Sequence, residues 1–192
     1  MTGRTHDLAA FTALNVLFIS QPLVNTTFAT AFVTVSANLI GGLTPDIDQA
    51  TADLWNRLPA GSIIGRMITP LLGSHRMISH SILGIFIAGF LSYKGFQALG
   101  TILLVDMNLV WIGFMAGFIS HIAIDILTKE GEPLLFPLPF RIGFPPFRFL
   151  RIKTGGIMEK SLVFPSLMLL NGYLIYTHYQ KYLEFLKLYI KR

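Results

Sequence analysis

The chain contains no cysteine. That excludes thiolate metal sites, disulfides and cysteine nucleophiles, and it leaves the redox compartment open. Charge is also scarce. Only 13% of the 192 residues are Asp, Glu, Lys or Arg, against 53% hydrophobic, and the mean hydropathy is +0.60. A soluble domain of this length needs more charge to cover its surface. The start at Met1–Arg4 has no small-residue cleavage site after its apolar run, so no removable signal segment is expected. Internal repeats and low-complexity tracts are absent too.

What is present is apolar sequence in uncharged runs, the membrane pattern. Leu8 to Pro45 carries no formal charge and is bracketed by Asp7 and Asp46. Pro22 divides it, because proline suits a helix start and not a helix interior. The expected fold is an all-α integral membrane protein, a single helical domain over 1–192 with about five transmembrane helices. These are placed at about 8–20, 22–42, 79–105, 106–127 and 161–177, with Asp106 as an N-cap. The first is short for a bilayer crossing and is read as tilted or partly re-entrant. Lys94-Gly95 softens the third. Residues 58–73 hold Arg66, Pro59 and Pro70 and read as an interfacial or re-entrant segment. Residues 128–160 form a Pro/Phe/Arg-rich loop suited to the headgroup level, and 178–192 an amphipathic tail. The net charge of +5 and pI of about 9.6 come mostly from loops beside apolar runs. Anionic lipid, not nucleic acid, is the partner this implies.

The polar residues converge if the helices cross in turn. The first helix starts at His6 and the second ends at Asp46 and Asp48. The next segment does not cross, so His75 and His80 stay on that face. The fourth helix returns to it with His121 and Asp125. Four of the five histidines and three of the six aspartates gather at one end. His121 and Asp125, at i,i+4, stack on one side of a helix. His75 and His80, at i,i+5, converge only if His75 lies in the preceding turn. A lone His-x-x-x-Asp pair is a weak signal, and helix-end carboxylates are commonly just solvated. The combination matters because ionisable groups beside membrane segments are costly and usually paired.

Mixed imidazole and carboxylate donors suit Zn, Mn or Fe better than Mg or Ca. Seven candidates exceed the four ligands of one tetrahedral ion. One or two divalent ions are therefore expected, or some residues orient the others. Asp48 or Asp125 would accept a proton from activated water, and Arg76 would stabilise negative charge. Lys129 and Thr154-Gly155-Gly156 are auxiliary anion-site candidates, although the glycines read first as an ordinary turn before the fifth helix. Glu159 is a further candidate that reads equally as a helix cap.

At these residues the chain resembles the bacterial membrane-bound, metal-dependent hydrolases of the YdjM type. The matching pieces are Thr5-His6, Leu43-Thr44-Pro45-Asp46-Ile47-Asp48, His75-Arg76-Met77-Ile78-Ser79-His80-Ser81, Ser120-His121-Ile122-Ala123-Ile124-Asp125, Leu127-Thr128-Lys129-Glu130-Gly131, and Lys153-Thr154-Gly155-Gly156 with Glu159. They stand in the family's order, from residue 5 to about 160. Ser79 departs from the threonine expected there and keeps the hydroxyl. The resemblance implies an inner-membrane helical hydrolase with metal binding at His6, Asp46, Asp48, His75, His80, His121 and Asp125.

The function expected is hydrolysis of a lipid or membrane-associated (phospho)ester. The alternative is a non-catalytic metal-binding membrane protein, a transporter or regulatory partner. A transporter is expected to carry ionisable residues at the bilayer midplane, whereas here they sit at helix ends. A metal-free phosphatase with His121 as nucleophile needs a Ser-Gly-His element that the chain lacks; a serine beside the ion, Ser79 or Ser120, fits better. Ten of the fifteen Lys and Arg fall on the site face of this topology. The positive-inside rule then places the site on the cytoplasmic side.

Overall fold

A computed structural model of the chain describes residues 1–21, 26–71 and 76–190. The architecture is all-helical, as expected, with no strand among the described residues. In order come α1 (Gly3–Ser20), α2 (Phe28–Leu43), a 3-10 turn (Thr44–Asp48), α3 (Asp53–Arg57) and α4 (Gly61–Ile68). Then follow α5 (Ile82–Leu99), α6 (Met107–Asp125), a π-helical turn (Glu159–Val163), α7 (Phe164–Thr177) and α8 (Tyr179–Ile190). Phe28–Asp48, Ile82–Leu99 and Met107–Asp125 are long and apolar enough to cross a membrane. The expected count of about five also relied on α1 and α7. The first turns of α1 carry Arg4, His6 and Asp7, and α7 has only 14 residues.

Helix ends follow from their caps. α1 begins at Gly3, not Leu8, because the Thr2 carbonyl accepts from the amides of Thr5 (2.9 Å) and His6 (3.1 Å). His6 thus sits inside the first helix. α2 begins at Phe28 with Thr27 as N-cap; the expected start at Pro22 lies outside the described residues. α5 begins at Ile82, not Ser79, since the Ser81 hydroxyl accepts from the Gly84 amide at 3.0 Å. It ends at Leu99, short of Val105, and Lys94-Gly95 leaves it unbroken. Asp106 caps α6 as expected, accepting from the amides of Asn108 (2.9 Å) and Leu109 (3.2 Å). α4, in the expected interfacial segment, has eight residues, too few to span, and exposes Ile63 and Met67. The tail is helical, and Lys181 Nζ donates to the carbonyls of Ile19 (2.7 Å) and Gln21 (2.6 Å) at the end of α1.

α2 and α6 make the closest contact in the bundle, and glycine makes it possible. A Cβ at Gly117 would lie 2.0 Å from the Asn38 carbonyl oxygen, and one at Gly41 2.1 Å from that of Phe114. Such small residues let helix backbones meet in lipid, where apolar burial alone does not drive association. Asn38 Nδ2 donates across this seam to the Gly113 carbonyl at 3.0 Å. Val110, Phe114, Phe118 and Ile122 fill the space along α6. A second polar seam ties α1 to α7 and α8. Asn15 Nδ2 donates to Asn171 Oδ1 (2.6 Å), Asn171 Nδ2 to Thr12 Oγ1 (2.7 Å), and the Tyr182 hydroxyl to Asn15 Oδ1 (3.1 Å). Buried polar groups in an apolar surround must be paired in this way.

The closeness of α2 and α6 gives a direct test. Gly117→Ala forces backbone apart and lowers the thermal midpoint of detergent-solubilised protein, at a cost of about 1–3 kcal/mol. Gly95→Ala, where a Cβ meets nothing within 4 Å, leaves it unchanged or raises it.

Candidate metal centre

The ends of four helices deliver the site. His6 comes from the first turns of α1 and Asp46 from the 3-10 turn after α2. His80 lies just before α5, and His121 and Asp125 lie in the last turns of α6. His6, His80, His121 and Asp125 are fully buried. The rings of His6 and His121 stack with centroids 3.6 Å apart and 6° between planes. His6 Nε2 lies 3.4 Å from Asp125 Oδ1, and neither His6 nitrogen has a hydrogen-bond partner.

Hydrogen bonds outside the cluster assign the tautomers. His121 Nδ1 lies 2.7 Å from the Gly42 carbonyl oxygen, so Nδ1 carries the proton and Nε2 keeps its lone pair. The Ser79 hydroxyl donates its one proton to Asp48 Oδ2 at 2.6 Å. It therefore accepts from His80 Nδ1 at 2.9 Å, and the Nε2 of His80 is also left with a lone pair. These two Nε2 atoms lie 3.3 Å apart, and Asp46 Oδ1 is 3.5 and 3.6 Å from them. These three atoms converge within reach of a shared proton or a bound cation. Partner groups that set imidazole tautomers in this way are what metal sites use to aim their ligands.

His6, His121 and Asp125 form one set of side chains whose ligand atoms lie within 4.8 Å of one another. Asp46, His80 and His121 form a second, and His80, Asp125 and Glu132 a third. Asp48 belongs to none of these sets among the described residues. Its Oδ2 accepts from the Arg76 amide (2.9 Å) and from the Ser79 hydroxyl (2.6 Å). The expected ligand His75 lies outside the described residues.

Arg76 is buried and holds a left-handed backbone, φ 59°, a conformation that costs a non-glycine residue on the order of 1 kcal/mol. Its guanidinium lies 2.5 Å from Asp125 Oδ2 and 3.3 Å from Glu132 Oε1. The Met1 amino group also contacts Asp125 Oδ1. Burial lowers the pKa of His80 and, working against nearby Arg76, pushes the Glu132 carboxyl up to about 8.

Glu132 was not singled out in the sequence. Its signal was a lone carboxylate between Gly131 and the apolar run Pro133-Leu134-Leu135-Phe136. Gly131 takes φ +64°, and a Cβ there would lie 2.9 Å from the Ile142 carbonyl oxygen. The turn it permits pairs Glu132 with Ile142 through two backbone bonds, N–H to O distances 2.7 and 2.8 Å. That fold-back brings the loop under the site.

Glu159 takes a different part from the one sketched for it. Its Oε1 accepts from the Thr2 amide (2.7 Å), Thr2 hydroxyl (2.7 Å) and Thr5 hydroxyl (2.6 Å), and its Oε2 from the Gly155 amide (2.7 Å). The carboxylate clasps the start of α1 to the end of the loop, one residue from His6. Gly155, at φ +70°, supplies a turn amide to that clasp. Lys129 holds the loop by its backbone, accepting from Arg148 Nε at 3.1 Å.

A cleft of about 240 Å³, lined by Met1, Thr2, Leu43, Asp46, Gln49 and Ala52 among others, reaches the site at Asp46. Burial, apolar helices and convergent ionisable groups define the class: an all-α integral membrane protein with a polar centre at its helix ends. The chain belongs to the family of YdjM inner membrane proteins, whose model matches residues 1–183. It is similar to YvsG of Bacillus subtilis, 28% identical over 179 residues covering 92% of this chain and 95% of that protein. It is also similar to the inner membrane protein YdjM of Escherichia coli and of Shigella flexneri. Each is 32% identical over 128 residues, which cover 67% of this chain and 60% of theirs. No solved structure matches the chain.

Two measurements check these assignments. Ser79→Ala, which removes the acceptor for His80 Nδ1, weakens divalent-metal binding by about 10–100-fold, and Ser79→Thr restores it. The Glu159 carboxyl is held below its usual 4.5; burial acts upward, and the bonds from Thr5, Thr2 and Gly155 outweigh it. A depressed folded-state pKa gives stability present above the unfolded value and lost as pH falls through the folded one. Melting of the wild type therefore worsens below about pH 4.5, and Glu159→Gln, less stable at pH 7 by about 1–3 kcal/mol, shows a shallower acid loss.

Proposed function

We propose that this protein is a multi-pass, inner-membrane, metal-dependent hydrolase of a lipid or membrane-associated (phospho)ester, with its site on the cytoplasmic face. The observation that carries the reading is the pair of imidazole lone pairs 3.3 Å apart, each fixed by its own outer partner, with Asp46 against both. Mixed nitrogen and oxygen donors fit Zn, Mn or Fe. A divalent ion held there lowers the pKa of water to near neutrality and polarises the bond to be cleaved.

The chain's own residues do the rest. His6, His121 and Asp125 would hold the ion, and Asp48, through Ser79, would orient His80 toward it. The attacking water's proton would go to Asp48 or Asp125, while Asp46, which opens to the cleft, would complete the ion's ligands. Arg76 lies beside the converging ligands, where its fork of donors matches a phosphoryl or tetrahedral oxyanion. The ester is placed at headgroup depth by the loop. Phe140, Phe144, Phe147 and Phe149 are exposed there, alongside Arg141 and Arg148, the mixture that suits a membrane–water interface.

Protein purified without chelator is expected to carry Zn, Mn or Fe, and His121→Ala to lose it. The loaded protein in detergent should cleave at least one of a lipid phosphoester, acyl ester or amide. Chelation should abolish turnover, and Asp125→Asn should lower kcat/KM by at least about 100-fold. Bound metal with no turnover on the whole panel would replace this reading with the binding-only one. No metal, even after reconstitution, would end both.

A further inference from the structure

Glu132 carries an inference beyond these assignments. Its side chain is fully buried, and neither carboxylate oxygen has a hydrogen-bond partner. Arg76 Nη1 approaches Oε1 at 3.3 Å but is not aligned to donate. Asp125, by contrast, has both Arg76 and the Met1 amino group on its oxygens. Burying a carboxylate without a donor costs several kcal/mol, on the order of the penalty for an unpaired buried charge. The backbone nevertheless aims Glu132 inward, since its amide and carbonyl are both locked to Ile142. Its side chain falls within 4.8 Å, atom to atom, of ligand atoms on His80 and Asp125.

The set containing Glu132 and the set containing His6 share only Asp125. One ion satisfies one set and leaves the buried acceptors of the other facing each other. A carboxylate has two oxygens and can serve two ions, whereas an imidazole nitrogen serves one. Asp125 is the residue common to both sets.

We propose that Glu132 is a metal ligand that, with His80 and Asp125, holds a second divalent cation beside the one at His6, His121 and Asp125. The proposal rests on the metal reading above and adds a ligand and a second ion to it. Two carboxylates and one imidazole make this second position harder than the first, so it discriminates less against Mn²⁺ than the first does. Arg76 and this cation offer positive charge to the same two carboxylates, so Arg76 opposes its binding.

The test uses the full chain in detergent, with Mn²⁺ as the probe and metal content, titration and electron paramagnetic resonance as readouts. Wild type is expected to bind two Mn²⁺ per chain with an exchange-coupled spectrum, as for ions about 3.5–4 Å apart. Glu132→Gln is expected to keep one ion, with an uncoupled six-line spectrum, and to weaken the second by more than about 100-fold. Arg76→Gln is expected to keep both and to bind the second more tightly. Without metal, Glu132→Gln is expected to melt no lower than wild type, because a buried carboxylate that accepts no hydrogen bond has gone. If Glu132 is only the counter-ion of Arg76, Glu132→Gln lowers the metal-free melt and leaves Mn²⁺ stoichiometry unchanged; that outcome overturns the proposal. One ion in both wild type and Glu132→Gln overturns it while the hydrolase reading stands. No ion in the wild type removes both. If Glu132→Gln fails to fold, Arg76→Gln decides: unchanged or weaker second binding counts against the proposal.

Discussion

Two imidazole nitrogens face each other at 3.3 Å inside a membrane protein, with Asp46 Oδ1 3.5 and 3.6 Å from them. Each ring makes its other nitrogen's contact outward, His121 with the Gly42 carbonyl and His80 with Ser79. Burying these groups together is costly, even with Arg76 and the Met1 amino group bringing positive charge to neighbouring Asp125. Much of the surrounding structure serves to hold that unfavourable arrangement. Arg76 takes a left-handed backbone to reach Asp125, and its amide is fixed by Asp48. Glu159 pins the start of α1 so that His6 stacks on His121. Local cost of this kind persists only where the rest of the fold over-determines the geometry.

The over-determination begins with helix packing. α2 and α6 meet at glycine contacts that admit no side chain. The residue after Gly41, Gly42, faces Ala10 of α1, with 2.8 Å from its ideal Cβ position to the Ala10 Cβ. The Gly42 carbonyl is also the acceptor for His121. The same residue thus sets how near three helices come and which nitrogen of His121 is free. Packing and site chemistry are not separable here, because widening the helix seam would withdraw the carbonyl that orients the ligand.

Legibility in the sequence tracked how local each signal was. The apolar runs and the Asp106 cap were readable because length and capping are properties of a few adjacent residues. The gathering of His6, Asp46, His80, His121 and Asp125 followed from alternation of crossings, a topological argument that needs no atomic detail. Helix starts at Gly3 and Ile82 were misplaced, since they depend on the Thr2 carbonyl and the Ser81 hydroxyl finding amides. Glu132 was invisible because its inward aim comes from a loop that folds back through Gly131 and pairs with Ile142. Glu159 had a motif position but not a role, because its partners Thr2 and Thr5 lie more than 150 residues away.

The loop that supplies Glu132 also has an outer surface, and the two faces have opposite character. Inward it delivers a buried acid and, through the Leu134 carbonyl, accepts from the Ile82 amide at the start of α5 at 3.0 Å. Outward it presents Phe140, Phe144, Phe147 and Phe149 with Arg141 and Arg148. An amphipathic loop of this kind settles at the membrane–water boundary, aromatic rings in the interface and guanidinium groups among headgroup phosphates. Its backbone bonds to residues 126–129 then tie that depth to the end of α6, where His121 and Asp125 reside. Under the proposed lipid-hydrolase reading, the bilayer, through the loop, would set the height at which a headgroup meets the site. A soluble ester would gain no such alignment, and that asymmetry is the physical ground for expecting a membrane-bound substrate.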